Sequence, residues 1–363
     1  MIPHGFTLFQ QDLDHVASAL EDDWDRLRGA RIFITGGTGY FGMALVEALL
    51  WANETRGLGL RLTILSRDPQ RFLETRATHL GRRDALGFVA GQLTDFQAPV
   101  ADYTHILHVA SEPNLSGEKD WARKHLASAI GGTQRLIELA QRCPLEAMLV
   151  TSSGAIYPQM DVCQDDRWVE GPTGIADYMS ERMLYGQSKR MIEIMTAVAA
   201  EQSGFRALIA RCFAFVGPYL PLDSNYAIGN FIRDSMGGRE IQVNGDGTPL
   251  RSYLYSADLA VWLLRILARG RSGVPYNVGG DEALSIGDLA RLVAAVGGRP
   301  DAVVIKGKPV PGAKPSAYLP SLTRTKAELG LEVAVPLREA VRRTMDWNLL
   351  RQNRSTTNRP GPL

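Results

Sequence analysis

Arg31-Ile-Phe-Ile-Thr-Gly-Gly-Thr-Gly-Tyr-Phe-Gly42, in one-letter form RIFITGGTGYFG, is the stretch on which the reading of this chain turns. Arg31 to Thr35 has the composition of a short buried strand. Glycines follow at Gly36, Gly39 and Gly42, and Phe41-Gly42-Met43-Ala44-Leu45-Val46 opens a helix. A strand, a glycine turn and a helix in that order make a dinucleotide phosphate site. Glycine lets the backbone turn sharply and approach a pyrophosphate, whose charge then sits at the helix N-terminus. Gly37-x-Gly39-x-x-Gly42 also satisfies the usual dinucleotide pattern. The pyrophosphate is expected over Gly39, Tyr40 and Phe41.

Outward from that stretch, strands and helices alternate. The first helix runs to about Ala52, and 53–59 is a polar, glycine-containing loop. Further strands are expected at 61–66, 87–91, 105–110, 147–152 and 207–212. Leu126, Ile130, Thr133, Ile137 and Ala140 mark one face of a helix, and Ile192, Met195 and Ala199 mark another. The alternation predicts an α/β fold, a Rossmann-type doubly wound parallel sheet. Ligands of such sheets sit beyond the carboxyl ends of the strands. Before residue 31, Leu13, Val16, Leu20 and Leu27 recur at helical spacing with Trp24 beside them, which reads as a helical arm (1–30) packed on the core without chemistry of its own. The dinucleotide domain spans 31–216. From 217 to 349 the alternation fails, and Pro218, Pro221, Gly229, Gly237, Gly238, Gly245 and Gly247 punctuate shorter elements. This is a smaller, mixed substrate-binding lobe, free to exchange elements with the first domain. Its most regular helix is 286–296. Residues 350–363 are polar, contain Pro360 and Pro362, and read as a frayed tail.

Composition narrows the function. With 45% hydrophobic and 22% charged residues, the 363-residue chain is expected to be a folded soluble protein of one large domain or two smaller ones. A net charge of +1 gives no argument for nucleic acid or an acidic membrane surface as partner. No apolar run approaches the ~18 residues that span a bilayer, and no signal peptide is expected from the acidic N-terminus. Cys143, Cys163 and Cys212 stand far apart without metal spacing. They read as reduced thiols of a cytoplasmic protein, with no metal site.

Tyr185-Gly-Gln-Ser-Lys189 places a phenol and an ammonium at i and i+4 on one helix face. A phenol near pKa ~10 is a poor acid–base group at neutral pH. An adjacent ammonium favours the phenolate, which can then exchange a proton with a sugar or alcohol hydroxyl. Ser153, just past a strand, could hydrogen-bond the same oxygen.

In order along the chain stand Thr35-Gly-Gly-Thr-Gly-Tyr-Phe-Gly42, His108-Val-Ala110, Ser152-Ser-Gly-Ala-Ile-Tyr157, Tyr185-Gly-Gln-Ser-Lys189 and Arg251-Ser-Tyr-Leu-Tyr-Ser-Ala-Asp258. Together these motifs resemble the extended short-chain dehydrogenase/reductase family, in its NAD-dependent epimerase/dehydratase branch that acts on nucleotide-sugars. The resemblance covers about residues 31–347. It implies that Ser153, Tyr185 and Lys189 are catalytic. It implies a cofactor lined by Gly36, Gly39, Tyr40, Phe41, Gly42, Arg67, Gln92, Leu93, Ala110, Tyr185, Lys189 and Phe213, with Cys212-Phe213 approaching the nicotinamide. Arg251 would grip a nucleotide-sugar diphosphate, a task suited to a planar guanidinium, with Ser153 also touching substrate. Family members are often dimers, so a homodimer is compatible.

The chain departs from the family pattern at several places. Ser66-Arg67 stands where NAD-binding members carry an acid for the ribose hydroxyl. Arg67 could meet a 2′-phosphate, which tilts the cofactor from NAD towards NADP, although Asp68 is adjacent. Gln92-Leu93 replaces an aspartate that usually holds the adenine, and Ala129 and Ala214 each replace an asparagine. Gly154-Ala155 stands where the 4,6-dehydratases carry an Asp-Glu pair. The expected function is therefore NAD(P)-dependent modification of a nucleotide-diphosphate sugar through a 4-keto species, foremost by an epimerase. An NADPH-dependent 4-keto-sugar reductase and a 4,6-dehydratase are the enzyme alternatives, and a dinucleotide-binding sensor is the non-enzymatic one.

Overall fold

Ile32, Phe33 and Ile34 are all fully buried, as a strand covered on both faces requires. A computed structural model describes residues 2, 6–81, 83–97, 102–110, 120–157, 163–164, 167–171 and 181–357; the side chains of 163, 164, 181, 182 and 353–357 are outside that description. Strand β1 (Arg31–Thr35) leads into helix α2 (Tyr40–Arg56), which follows the N-terminal helix α1 (Gln10–Ala19). Then come β2 (Arg61–Ser66), β3 (Leu86–Ala90), β4 (His105–His108), α3 (Trp121–Leu126), α4 (Gly132–Ala140), β5 (Ala147–Ser153), α5 (Glu181–Ser203), β6 (Arg206–Cys212), α6 (Ser256–Arg269), β7 (Pro275–Val278) and α7 (Leu337–Thr357).

The seven strands form one sheet in the order β7-β6-β5-β4-β1-β2-β3, parallel throughout. The strand order reverses between β1 and β4. Doubly wound sheets place their ligands at such a reversal, beyond the carboxyl ends of the strands. Side chains alternate across the sheet. Ile32, Ile34, Leu107 and Leu149 pack with α2 and α6 through Leu45, Leu49 and Trp262. Phe33, Ile106, Met148 and Val150 face the other layer, including Leu136 of α4 and Ile192 of α5.

The expected strands are present with ends moved by a residue or two. The first helix is longer than expected: it reaches Arg56, where Gly57 takes the left-handed conformation that ends it (φ 61°). Residues 275–278 of the expected second lobe supply edge strand β7, so the main sheet draws on chain beyond 216. The frayed tail from 350 is corrected in part. Helix α7 continues to Thr357, because no glycine or proline interrupts it before Pro360; 358–363, with Pro360 and Pro362, lie outside the described residues.

Buried acids tie the N-terminal arm down. Leu13, Leu20, Trp24 and Leu27 are core residues. Asp12 accepts from Tyr255 Oη at 2.6 Å and pairs with Arg343 of α7. Glu47 of α2 accepts from the backbone N–H groups of Thr7 and Leu8 at 2.8 and 2.9 Å. Among the described residues no helix is long and apolar enough to cross a membrane.

Candidate active site

The turn after β1 is shaped by two glycines that nothing larger could replace. Gly36 has φ 72°, and a Cβ there would stand 2.6 Å from the Ala110 Cα. A Cβ on Gly42 would lie 2.1 Å from the Gly36 carbonyl oxygen. Helix α2 therefore starts hard against the turn. Gly39 is its N-cap, without a side-chain cap and without a carboxylate in the first turn. The first amides of a helix lack intrahelical partners, so this cradle presents bare N–H groups and a partial positive charge. It fits a pyrophosphate. Tyr40 and Phe41 could contribute their backbone only. The Tyr40 hydroxyl is buried without a hydrogen-bond partner among the described residues, and burial pushes it well above the usual phenol range. The Phe41 ring packs edge-on against Phe215 at 4.9 Å.

Arg67 lies exposed just past β2. Its neighbour Asp68 is occupied, as N-cap of the helix Pro69–Thr75, accepting from Arg71 N at 2.9 Å. Gln92 follows β3, and its backbone N–H donates to the Asp95 carboxylate at 3.0 Å. Leu93 packs on Gly132, where a Cβ would stand 2.4 Å from its Cγ. Leu93 and Ala110 line one small cavity with His108, His125, Ala129 and Lys189.

His108 binds the strand ends together. Its Nδ1 lies 2.8 Å from Thr35 Oγ1, and its Nε2 3.5 Å from Thr133 Oγ1. Burial and the nearby Lys189 lower its pKa to about 3, so it is a neutral strut.

Ser153 closes β5. Its Oγ accepts from Ala155 N at 3.1 Å and lies 3.4 Å from the Tyr318 hydroxyl. Helix α5 reaches this turn through Gly186, where a Cβ would stand 2.2 Å from the Ala155 carbonyl oxygen. That approach brings Tyr185 beside the serine's loop. Lys189, one turn on, is buried. Its Nζ donates to the Thr151 carbonyl at 2.9 Å and lies 5.8 Å from the Tyr185 ring centroid. Burial lowers its pKa to about 8, against the pull of Cys212 and Glu193. The Cys212 thiol is itself pushed up to about 12 by burial, which makes it an inert core group.

The second part of the chain enters this site through a short sheet. Leu250–Arg251 pairs in parallel with Ala317–Tyr318, with Arg251 opposite Tyr318. The Arg251 guanidinium lies 5.8 Å from the Tyr318 ring, which in turn packs on Phe213 at 4.8 Å. Phe213 fills the space over Gly154, where a Cβ would meet its ring at 2.7 Å. Sequence reasoning missed Tyr318, which belongs to no motif and reaches Ser153 from far along the chain. Burial, with the neighbouring Tyr185 phenol, raises its pKa, so it is a neutral hydroxyl. Also missed was a π-helical turn, Ala127–Gly131, between α3 and α4.

His108, Ala110, His125 and Lys189 thus line one small cavity beyond the strand ends, while Ser153, Tyr318, Phe213 and Arg251 form a second, contiguous group. Among the described residues no group of His, Cys, Asp and Glu is arranged to hold a metal ion. The chain is 25% identical over 320 residues to UDP-glucuronic acid decarboxylase 1 of Xenopus tropicalis, covering 87% of this chain and 72% of that protein. It is 24% identical over 329 residues to dTDP-glucose 4,6-dehydratase of Streptomyces niveus, covering 90% and 94%. The same fold is seen in UDP-glucose 4-epimerase of Thermotoga maritima, solved with UDP-glucose: the TM-score is 0.72 at 19% identity, covering 89% of this chain and 99% of that one. The sequence pattern of the NAD dependent epimerase/dehydratase family matches residues 32–279. With the match spanning well over half its length, the chain is an enzyme of that family.

Proposed function

We infer that the protein is a sugar-nucleotide epimerase, oxidising and re-reducing one carbon of a nucleotide-diphosphate sugar. The cofactor fits the cradle of Gly36, Gly39 and Gly42, with Lys189 and Ala110 in the small cavity beyond the strand ends. A bound nicotinamide would supply the reversible hydride acceptor that oxidation at the sugar C4 needs. Tyr185 takes the proton from the C4 hydroxyl and returns it. Ser153 Oγ, and behind it the Tyr318 hydroxyl, steadies the same oxygen. Arg251 pairs with the diphosphate of the substrate.

The observation that carries this reading is the packing at Gly154. Elimination of water needs an acid and a base beside the reacting carbons. At Gly154, the first of the two positions after Ser153 where the 4,6-dehydratases carry them, a side chain would meet the Phe213 ring at 2.7 Å and the ring would have to move, and Ala155 offers only a methyl group. The test is product mass after incubation with UDP-glucose, UDP-N-acetylglucosamine, UDP-glucuronate and dTDP-glucose. An isomer of unchanged mass is expected. A product lighter by one water or by carbon dioxide would overturn the reading in favour of a dehydratase or a decarboxylase.

A second reading rests on Arg67: a 4-keto-sugar reductase that uses NADPH through the same residues. Arg67 makes no ion pair among the described residues, and Asp68 is engaged as a helix cap. A guanidinium–phosphate contact contributes on the order of 1.5–3 kcal/mol, at least tenfold in affinity. Titration is expected to show NADP bound at least tenfold more tightly than NAD, with the preference lost in Arg67→Ala. Equal affinities in the parent protein would remove Arg67 from cofactor selection.

A further inference from the structure

His125 stands in the last turn of α3 and is 2% exposed. Its ring lies between two others, stacked on Trp121 at 5.0 Å and 20°, and tilted against Tyr185 at 5.6 Å and 44°. Its Nε2 lies 2.7 Å from Ser188 Oγ. Ser188 has a single hydroxyl proton, which it donates to the Tyr185 carbonyl oxygen at 2.8 Å. With that proton committed to the carbonyl, the serine accepts from the imidazole, which assigns the ring proton to Nε2. That leaves Nδ1 with a lone pair. The atom is buried and has no hydrogen-bond partner among the described residues.

A buried polar atom without a partner costs stability comparable to a lost hydrogen bond. The surroundings of Nδ1 say what would meet it. His125 lines the same small cavity as Leu93, Ala110 and Lys189, three residues that sequence reading places along the cofactor. Ala129 offers that cavity only a methyl group, and Ser128, which also lines it, makes no hydrogen bond to Nδ1. Among the described residues the Lys189 ammonium has one hydrogen bond, to Thr151 O, which leaves it further donors. A group entering between them must carry an oxygen that accepts from the ammonium and a proton that it gives to the imidazole. A hydroxyl does both.

We propose that His125 is a cofactor-binding residue, its Nδ1 accepting a hydrogen bond from a ribose hydroxyl of the dinucleotide whose oxygen faces Lys189. The proposal rests on the dinucleotide reading of the site. It gives His125 two separable tasks. Through Nε2–H it anchors the turn 185–188 that carries Tyr185, and through Nδ1 it holds the cofactor.

Two amide isosteres divide these tasks in the full-length protein. The amide nitrogen of Gln reaches the place of Nε2 and keeps the bond to Ser188, but no acceptor stands at the place of Nδ1. Asn reaches the place of Nδ1 with its oxygen and loses the bond to Ser188. NADH and NADPH binding is read by nicotinamide fluorescence, and unfolding of the unliganded protein by thermal scan. For whichever cofactor the parent protein binds, His125→Gln is expected to weaken affinity about tenfold while leaving the midpoint near the parent value. His125→Asn is expected to stay within about twofold in affinity while its midpoint falls. Parent-like affinity in His125→Gln would overturn the proposal, because the lone pair would then be met by water alone. Affinity that simply follows the thermal midpoint across both variants would also overturn it, leaving a purely structural histidine. Failure of the parent protein to bind either dinucleotide is a different result, and would overturn the dinucleotide reading itself.

Discussion

Tyr185→Phe is expected to lower turnover by about 10²–10⁴-fold, the range typical of losing a general acid–base group. Dinucleotide binding should persist in the same variant. The substitution keeps the ring that His125 packs against at 5.6 Å and leaves the Ser188 bond to the residue 185 carbonyl in place. Only the transferable proton is lost. Single-turnover absorbance at the reduced nicotinamide reads the chemical step, and fluorescence titration reads the binding. Undiminished turnover would remove the tyrosine from the mechanism whether the enzyme is an epimerase, a reductase or a dehydratase. Loss of cofactor binding together with turnover would mean that the hydroxyl supports the site rather than the chemistry.

The parts legible in the sequence are those whose physics is local. A strand of β1's composition followed by Gly36, Gly39 and Gly42 admits few structures, and the close contacts of Gly36 and Gly42 show why each position excludes a side chain. The alternation of strands and helices followed from periodicity. Tyr185 and Lys189 were found because a helix puts i and i+4 on one face. What stayed hidden depends on contacts between distant residues. Tyr318 reaches Ser153 across 165 positions, and its own neighbourhood carries no pattern that marks it. His125 looks like one more polar residue on an amphipathic helix until Ser188 and Trp121 are in place. The π-helical turn at Ala127–Gly131 has no sequence signature of the kind that a glycine turn has. Sequence showed that Gly154 lacks an acid. The packing of the Phe213 ring over Gly154, 2.7 Å from where a Cβ would stand, is visible only in the fold.

Lys189→Met is expected to move activity and stability in opposite directions. Among the described residues the buried ammonium has a single hydrogen bond, to the Thr151 carbonyl, and no carboxylate within ion-pairing distance. Glu193, the nearest acid along the helix, is committed to Arg211 at 2.8 Å. A lysine so placed is held to a pKa of about 8 by burial, against ~10.4 in an unfolded chain. Between those values the folded protein binds fewer protons than the unfolded one, so stability rises with pH across that window. Below it the folded state carries the full cost of a poorly solvated charge. Methionine fills nearly the same volume without the charge. The unliganded Lys189→Met protein should therefore be more stable at pH 7 by about 1–2 kcal/mol, a few degrees in Tm, and its stability should lose the rise between pH 8 and 10. Turnover should fall at least a hundredfold, because the cation beside Tyr185 is gone. Thermal scans across pH, run beside the single-turnover assay, separate the two effects. A variant that unfolds earlier than the parent protein would show that the ammonium is a structural tie. A variant that keeps its turnover would show that Tyr185 works without it.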